Sequence, residues 1–135
     1  MRSYFLALLA EAHGTIGEPA AGLTVLAEAL TRAETTGERW YEPELYRLKG
    51  ELLLQQNSAN QAEAAICFHH ALDVARHQQA KSLELRAARS LSKLWQQQGK
   101  RQEAHDLLAP VYHWFTEGFD TADLQDAKAL LEELT

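Results

Sequence analysis

Arg86, Arg89 and Lys93 recur at spacings of three and four residues. With Ser82, Gln96 and Gln97 they fall within about a third of a helix circumference. No acid interrupts this stripe, so like-charged neighbours cost a few tenths of a kcal/mol per pair unless something nearby offsets them. Guanidinium and ammonium groups so arranged suit carboxylates, which a partner's acidic peptide or terminal carboxylate would supply. An intramolecular answer exists as well. Glu44, Arg47, Glu51 and Gln55 repeat the spacing about forty residues upstream, so Glu44 can neutralise Arg86 and Glu51 can neutralise Lys93. Exposed pairs of that kind contribute about 0–1 kcal/mol each. The candidate partner-binding set is therefore Arg86, Arg89, Lys93, Gln97, Glu44, Arg47 and Glu51.

His70 and His77 are seven residues apart, about 10.5 Å along a helix, too far to share one zinc ion with ligand atoms about 2 Å away. His69 and His70 are adjacent and point about 100° apart. Cys67 sits beside Phe68 on a helical pattern, which favours a packed thiol over an activated nucleophile. Asp120, Asp123 and Asp126 lack the glycine turn and distal glutamate of an EF-hand; capping and the helix dipole explain acids there. No Gly-rich phosphate loop, Gly-x-Ser-x-Gly elbow or His-Glu-x-x-His occurs. The reading is non-enzymatic, with no metal and no cofactor.

The totals point the same way. The 135 residues fit one domain, and three prolines and seven glycines among many Ala and Leu favour helices. A net charge of −6 argues against general nucleic-acid binding. No run approaches the roughly 20 apolar residues of a membrane span. A single cysteine excludes an intrachain disulfide and fits a reducing cytoplasm. Met1 runs almost directly into Tyr4-Phe5-Leu6-Ala7-Leu8-Leu9 without a visible cap, which reads as a fragment of a longer protein.

Seven helices position these residues. The first ends near Gly14, and the second opens at Pro19 and stops at Thr35-Thr36-Gly37 with Leu23, Leu26, Ala29 and Leu30 inward. The third opens at Glu42-Pro43 and carries Gly50, where a neighbouring backbone is expected to approach. Asn57 to Asn60 form a turn with Asn60 or Ser58 as N-cap, and Ala64, Phe68, Ala71, Leu72 and Ala75 line the fourth helix. The fifth and sixth span Leu83 to Tyr112 around a Gly99-Lys100 turn. Gly118 breaks the chain before a seventh, capped by Asp120 or Thr121 and striped by Leu124, Ala127, Leu130, Leu131 and Leu134. Trp40, Tyr41, Tyr112, Trp114, Phe115 and Phe119 are expected to pack in joints between hairpins, Phe119 being the exception left open to a partner.

Gly22-Leu26-Ala29, Ala64-Phe68-Ala71 and Ala104-Leu108-Val111 superpose as small–large–small triplets starting at 22, 64 and 104. Small residues Ala10, Gly50 and Ser92 occupy the matching point of each preceding helix, where they make room for the bulky one. This pattern resembles the tetratricopeptide repeat, in lengthened units. The stretches 37–54 and 112–124 resemble the C-terminal repeat region of large bacterial regulators, in which a nucleotide cyclase-like or DNA-binding domain and a signalling ATPase come first.

The expected fold is all-α: a right-handed helical-repeat array of three tetratricopeptide-like hairpins (about 3–36, 42–79 and 81–116) and a capping helix (120–134) with an acidic outer face. The resemblance implies a non-catalytic protein–protein interaction module that takes a partner segment in its concave groove. The alternative is a structural spacer or self-association module, and a homodimer through the uncovered first helix is expected on either reading. A small-molecule site between hairpins would require an enclosed pocket.

Overall fold

The computed structural model describes residues 2–37, 39–119 and 121–135. Seven α-helices account for most of them: α1 Arg2–Thr15, α2 Pro19–Thr36, α3 Glu42–Gln56, α4 Gln61–His77, α5 Lys81–Gln97, α6 Arg101–Trp114 and α7 Ala122–Leu134. The described residues include no strand. Each helix packs on the next in sequence, and the odd-numbered ones also pack on one another in order: α1 on α3, α3 on α5, α5 on α7. Among the described residues, α2, α4 and α6 make no such contacts with each other.

The helix limits follow from local chemistry. Proline occupies the first turn of both α2 and α3, where its missing N–H removes no helical bond. Gly37 ends α2 in a left-handed conformation (φ 75°), its amide donating to the Ala33 carbonyl, and Gly99 (φ 82°) turns the chain between α5 and α6. Thr121 caps α7, its hydroxyl accepting from the Leu124 amide at 3.5 Å; Asp120, the other candidate cap, lies outside the described residues. The expected turn at 57–60 is present and Asn60 holds the N-cap position of α4, but its side chain does not cap that helix. The turn after α3 is a 3₁₀ turn, Ser58–Asn60, capped by Asn57, whose side chain accepts from the Ala59 amide. Asn60 instead donates its side-chain amide back to the Leu53 carbonyl, and α4 has no side-chain cap.

The core forms two clusters that meet at α3. One joins Ala7, Ala10, Leu26 and Ala29 to Leu45, Leu48 and Leu52 of α3. The other runs from Phe68 through Leu91 and Leu108 to Leu130, with Tyr46 and Leu54 of α3 packed against it. Small residues sit where the bulky ones cross. Ala10 and Ser92 are fully buried, and Ser92 donates its hydroxyl to the Ala104 carbonyl at 3.0 Å. At Gly50 the approaching group is a side chain, not the backbone expected: a Cβ there would lie 2.5 Å from the Phe68 ring.

Cys67 is buried, and burial pushes its thiol above the usual range. Native protein should therefore label with a disulfide-exchange reagent slower than denaturant-unfolded protein by roughly tenfold or more, followed by absorbance. Equal rates would place the thiol at the surface.

Candidate functional site: the face of the odd-numbered helices

Packing of α3 on α5 and of α5 on α7 brings the predicted residues to one face but divides them into two groups. Glu44, Arg47 and Arg86 form a largely buried ion-pair network in which Glu44 Oε2 has no hydrogen-bond partner among the described residues. One carboxylate oxygen of Glu44 accepts from Arg47 Nε at 2.8 Å and from Arg47 Nη2. Its other oxygen lies 3.5 Å from Arg86 Nη1. Arg86 Nε donates to Asp123 at 2.9 Å, and Arg47 Nη1 donates to the Ser90 hydroxyl at 3.3 Å. Burial works against charge on both arginines. The paired carboxylates outweigh it and hold both guanidinium pKa values above their usual value. Tyr41 beside them is also shifted upward, by burial and then by Glu44.

The expected Glu44–Arg86 pair is therefore present, but not as an exposed pair. Glu44 is only 3% exposed and Arg47 7%. Surface-pair energetics do not apply to them; breaking one partner of such a pair strands a charge. The second expected pair is absent: among the described residues, Lys93 and Glu51 form no ion pair within 4.0 Å. Lys93 points to solvent, and Glu51 lies near enough to Arg47 to favour that guanidinium's charge instead.

Arg89, Lys93, Glu51 and Gln97 make up the open group. Arg89 is half-buried, and its Nε is buried without a hydrogen-bond partner among the described residues. Clefts surround it. One of about 630 Å³ runs between Arg89 and Lys93 on α5 and Asp126, Glu132 and Glu133 on α7. A second, of about 280 Å³, places Arg89 with Tyr4 and Glu11 of α1, Glu44 and Arg47 of α3, and Asp123 of α7. Two more follow α3 and α5 along Glu51, Gln55, Lys93 and Gln97. Asp126, Glu132 and Glu133 of α7 are exposed, as the expected acidic outer face requires, and they also line this groove. Asp123 and Ser90 are the contributors that sequence reading passed over. Ser90 lies between two cations on α5, but no signal tells which stretch of α5 the first turn of α7 will meet.

The remaining candidates sit elsewhere. Tyr41 is buried and Tyr112 and Phe115 are half-buried, as packing residues should be. Trp40, Trp114 and Phe119 are each about half exposed, so Phe119 is not the lone exception. Lys81 Nζ stands 5.2 Å over the Trp114 ring, a cation–π contact that holds that indole against α5. His70 stacks edge-on against Tyr46, and His69 lies beside Trp95. The described residues hold no group of three or more His, Cys, Asp or Glu placed for a metal ion, and no helix is long and apolar enough to cross a membrane.

Comparison with protein-family models, with curated proteins and with solved structures gave no match.

Proposed function

We propose that this chain is a non-catalytic interaction module of the helical-repeat type, which holds an acidic segment of a partner protein in the groove along α1, α3, α5 and α7. The observation that carries the reading is Arg89. A half-buried guanidinium with an unpartnered Nε, at the meeting point of three clefts and next to exposed Lys93, offers donors that a carboxylate would fill. The order of packing supports the repeat: three sequential hairpins, with only their first helices and α7 stacked on one another. The resemblance of 37–54 and 112–124 supports a setting inside a larger bacterial signalling regulator in the cytoplasm, with no cofactor and no nucleic acid involved.

The competing reading is a structural spacer. The Arg47–Glu44–Arg86–Asp123 network favours it, because Arg86, one of the three cations of the predicted stripe, is already neutralised within the chain. The two readings separate at Arg89→Glu with Lys93→Glu. The reversal sets new carboxylates beside Asp126, Glu132 and Glu133, so the charge-neutral pair Arg89→Gln with Lys93→Gln is the stability control. Neither residue pairs with an acid among the described residues, and that control's melting temperature should move by no more than about 2 °C. Capture of the partner in a pull-down should be lost in the charge reversal. Unchanged capture by the reversed double variant would leave the spacer reading standing.

A further inference from the structure

The cleft of about 280 Å³ between α1 and the first turns of α3, α5 and α7 differs from its neighbours along the groove. It is the more enclosed, and its walls fall into two layers of one register. With Ala10, Gly50 and Ser92 aligned, Tyr4, Glu44 and Arg86 share one position, and Ala7, Arg47 and Arg89 share the position one turn on. In the second layer α1 presents a methyl group where α3 and α5 present guanidiniums. The missing bulk leaves the room.

Two buried polar atoms of residues that line this cleft lack hydrogen-bond partners among the described residues, and they are of opposite kind. Glu44 Oε2 is an acceptor and Arg89 Nε a donor, and neither satisfies the other. Such atoms are costly to leave unmade in a buried place. Arg47, level with Arg89 in the register, bonds Glu44, so the two unmet groups belong to one neighbourhood. Arg86 Nη1 stands 3.5 Å from Glu44 Oε2 without bonding it. That guanidinium is 34% exposed and anchored through Nε to Asp123, so a small swing opens the carboxylate oxygen to a ligand's donor.

Formal charge selects the ligand. Carboxylates Glu11, Glu44 and Asp123 balance guanidiniums Arg47, Arg86 and Arg89 around the cleft. An occupant with net charge would leave one charge uncompensated, whereas one ammonium and one carboxylate together would not. The volume lies just below the range for drug-sized molecules, which suits a metabolite of amino-acid size. We propose that this cleft binds a free α-amino acid with an uncharged side chain, its ammonium donating to Glu44 and its carboxylate accepting from Arg89. The side chain would lie against Tyr4, Leu8 and Tyr41. Lys93, which capture of an acidic partner segment requires, lies outside the residues that line this cleft, so the two binding events are separable.

Calorimetric titration of the 135-residue chain with L-leucine, L-glutamine and L-phenylalanine tests it. At least one should bind with a dissociation constant on the order of 0.1–1 mM. Acetylating the amine or amidating the carboxylate of that amino acid should weaken binding by about tenfold or more. Arg89→Gln should do the same, as should Leu8→Trp, which fills the cleft from a position 44% exposed, both with helicity unchanged. Lys93→Gln should weaken capture of the partner segment and leave amino-acid binding as it was. No binding of any of the three up to about 10 mM, blocked forms that bind as well as the free one, or binding that survives both cleft variants would overturn the proposal.

Discussion

Phe68→Ala is expected to lower the unfolding free energy by about 3–5 kcal/mol, the range for deleting a fully buried aromatic ring. The ring lies against the backbone of α3 at Gly50, and the sharper expectation concerns the two positions together. Gly50→Ala in the otherwise unchanged chain forces a Cβ to 2.5 Å from the ring. The ring is fully buried, so overpacking should cost about 1–3 kcal/mol. Once Phe68 is alanine, that clash is gone. Gly50→Ala should then stabilise α3 by up to about 1 kcal/mol, the intrinsic helical preference of alanine over glycine. A change of sign in a urea-denaturation cycle would show that small and large residues nest here. Additive effects would mean that α3 and α4 do not cross closely at this point.

Glu44→Gln is expected to cost about 3–5 kcal/mol, although it changes two atoms' chemistry and almost no volume. Glu44 serves two guanidiniums at once, and Arg47 has little water to turn to when the charge is lost. Asp123→Asn removes a carboxylate from the same network but should cost only about 1 kcal/mol, because Asp123 is 31% exposed and Arg86 is 34% exposed, so water can replace the bond. Replacing Glu44 and Arg47 together by methionine should recover most of the loss, since Arg86 keeps Asp123 and no uncompensated charge remains between α3 and α5. Denaturant melts of the three variants decide this. Equal, small costs at positions 44 and 123 would mean that Glu44 is as well hydrated as a surface carboxylate.

The helices were legible because their signals are local. Pro19 and Pro43 in first turns, Gly37 and Gly99 after last turns, and the stripes of Phe68 and Leu130 all act within a few residues of themselves. One turn carried no such signal: Gln79 takes the left-handed conformation (φ 58°) after α4, a place where sequence reasoning looks for glycine or asparagine. The candidate site was half legible. Helical spacing placed the cations on one face and paired Glu44 with Arg86, because α3 and α5 carry matching registers. Spacing could not give depth, so Glu44 and Arg47 read as surface residues when they are buried. Nor could it give the crossing of α7 over α5, which brings Asp123 to Arg86 and turns Asp126, Glu132 and Glu133 toward Arg89 and Lys93.

Three arginine Nε–H groups on the groove face are in distinct states: Arg47 bonded to Glu44, Arg86 bonded to Asp123, and Arg89 without an acceptor. Nitrogen-15 NMR of these side chains during titration with a short glutamate-rich peptide reads each one separately. The Arg89 Nε–H resonance should move downfield as the peptide carboxylate arrives, while those of Arg47 and Arg86 hold still. Shifts confined to Arg32, Arg76 and Arg101 of α2, α4 and α6, with Arg89 unmoved at saturation, would contradict it.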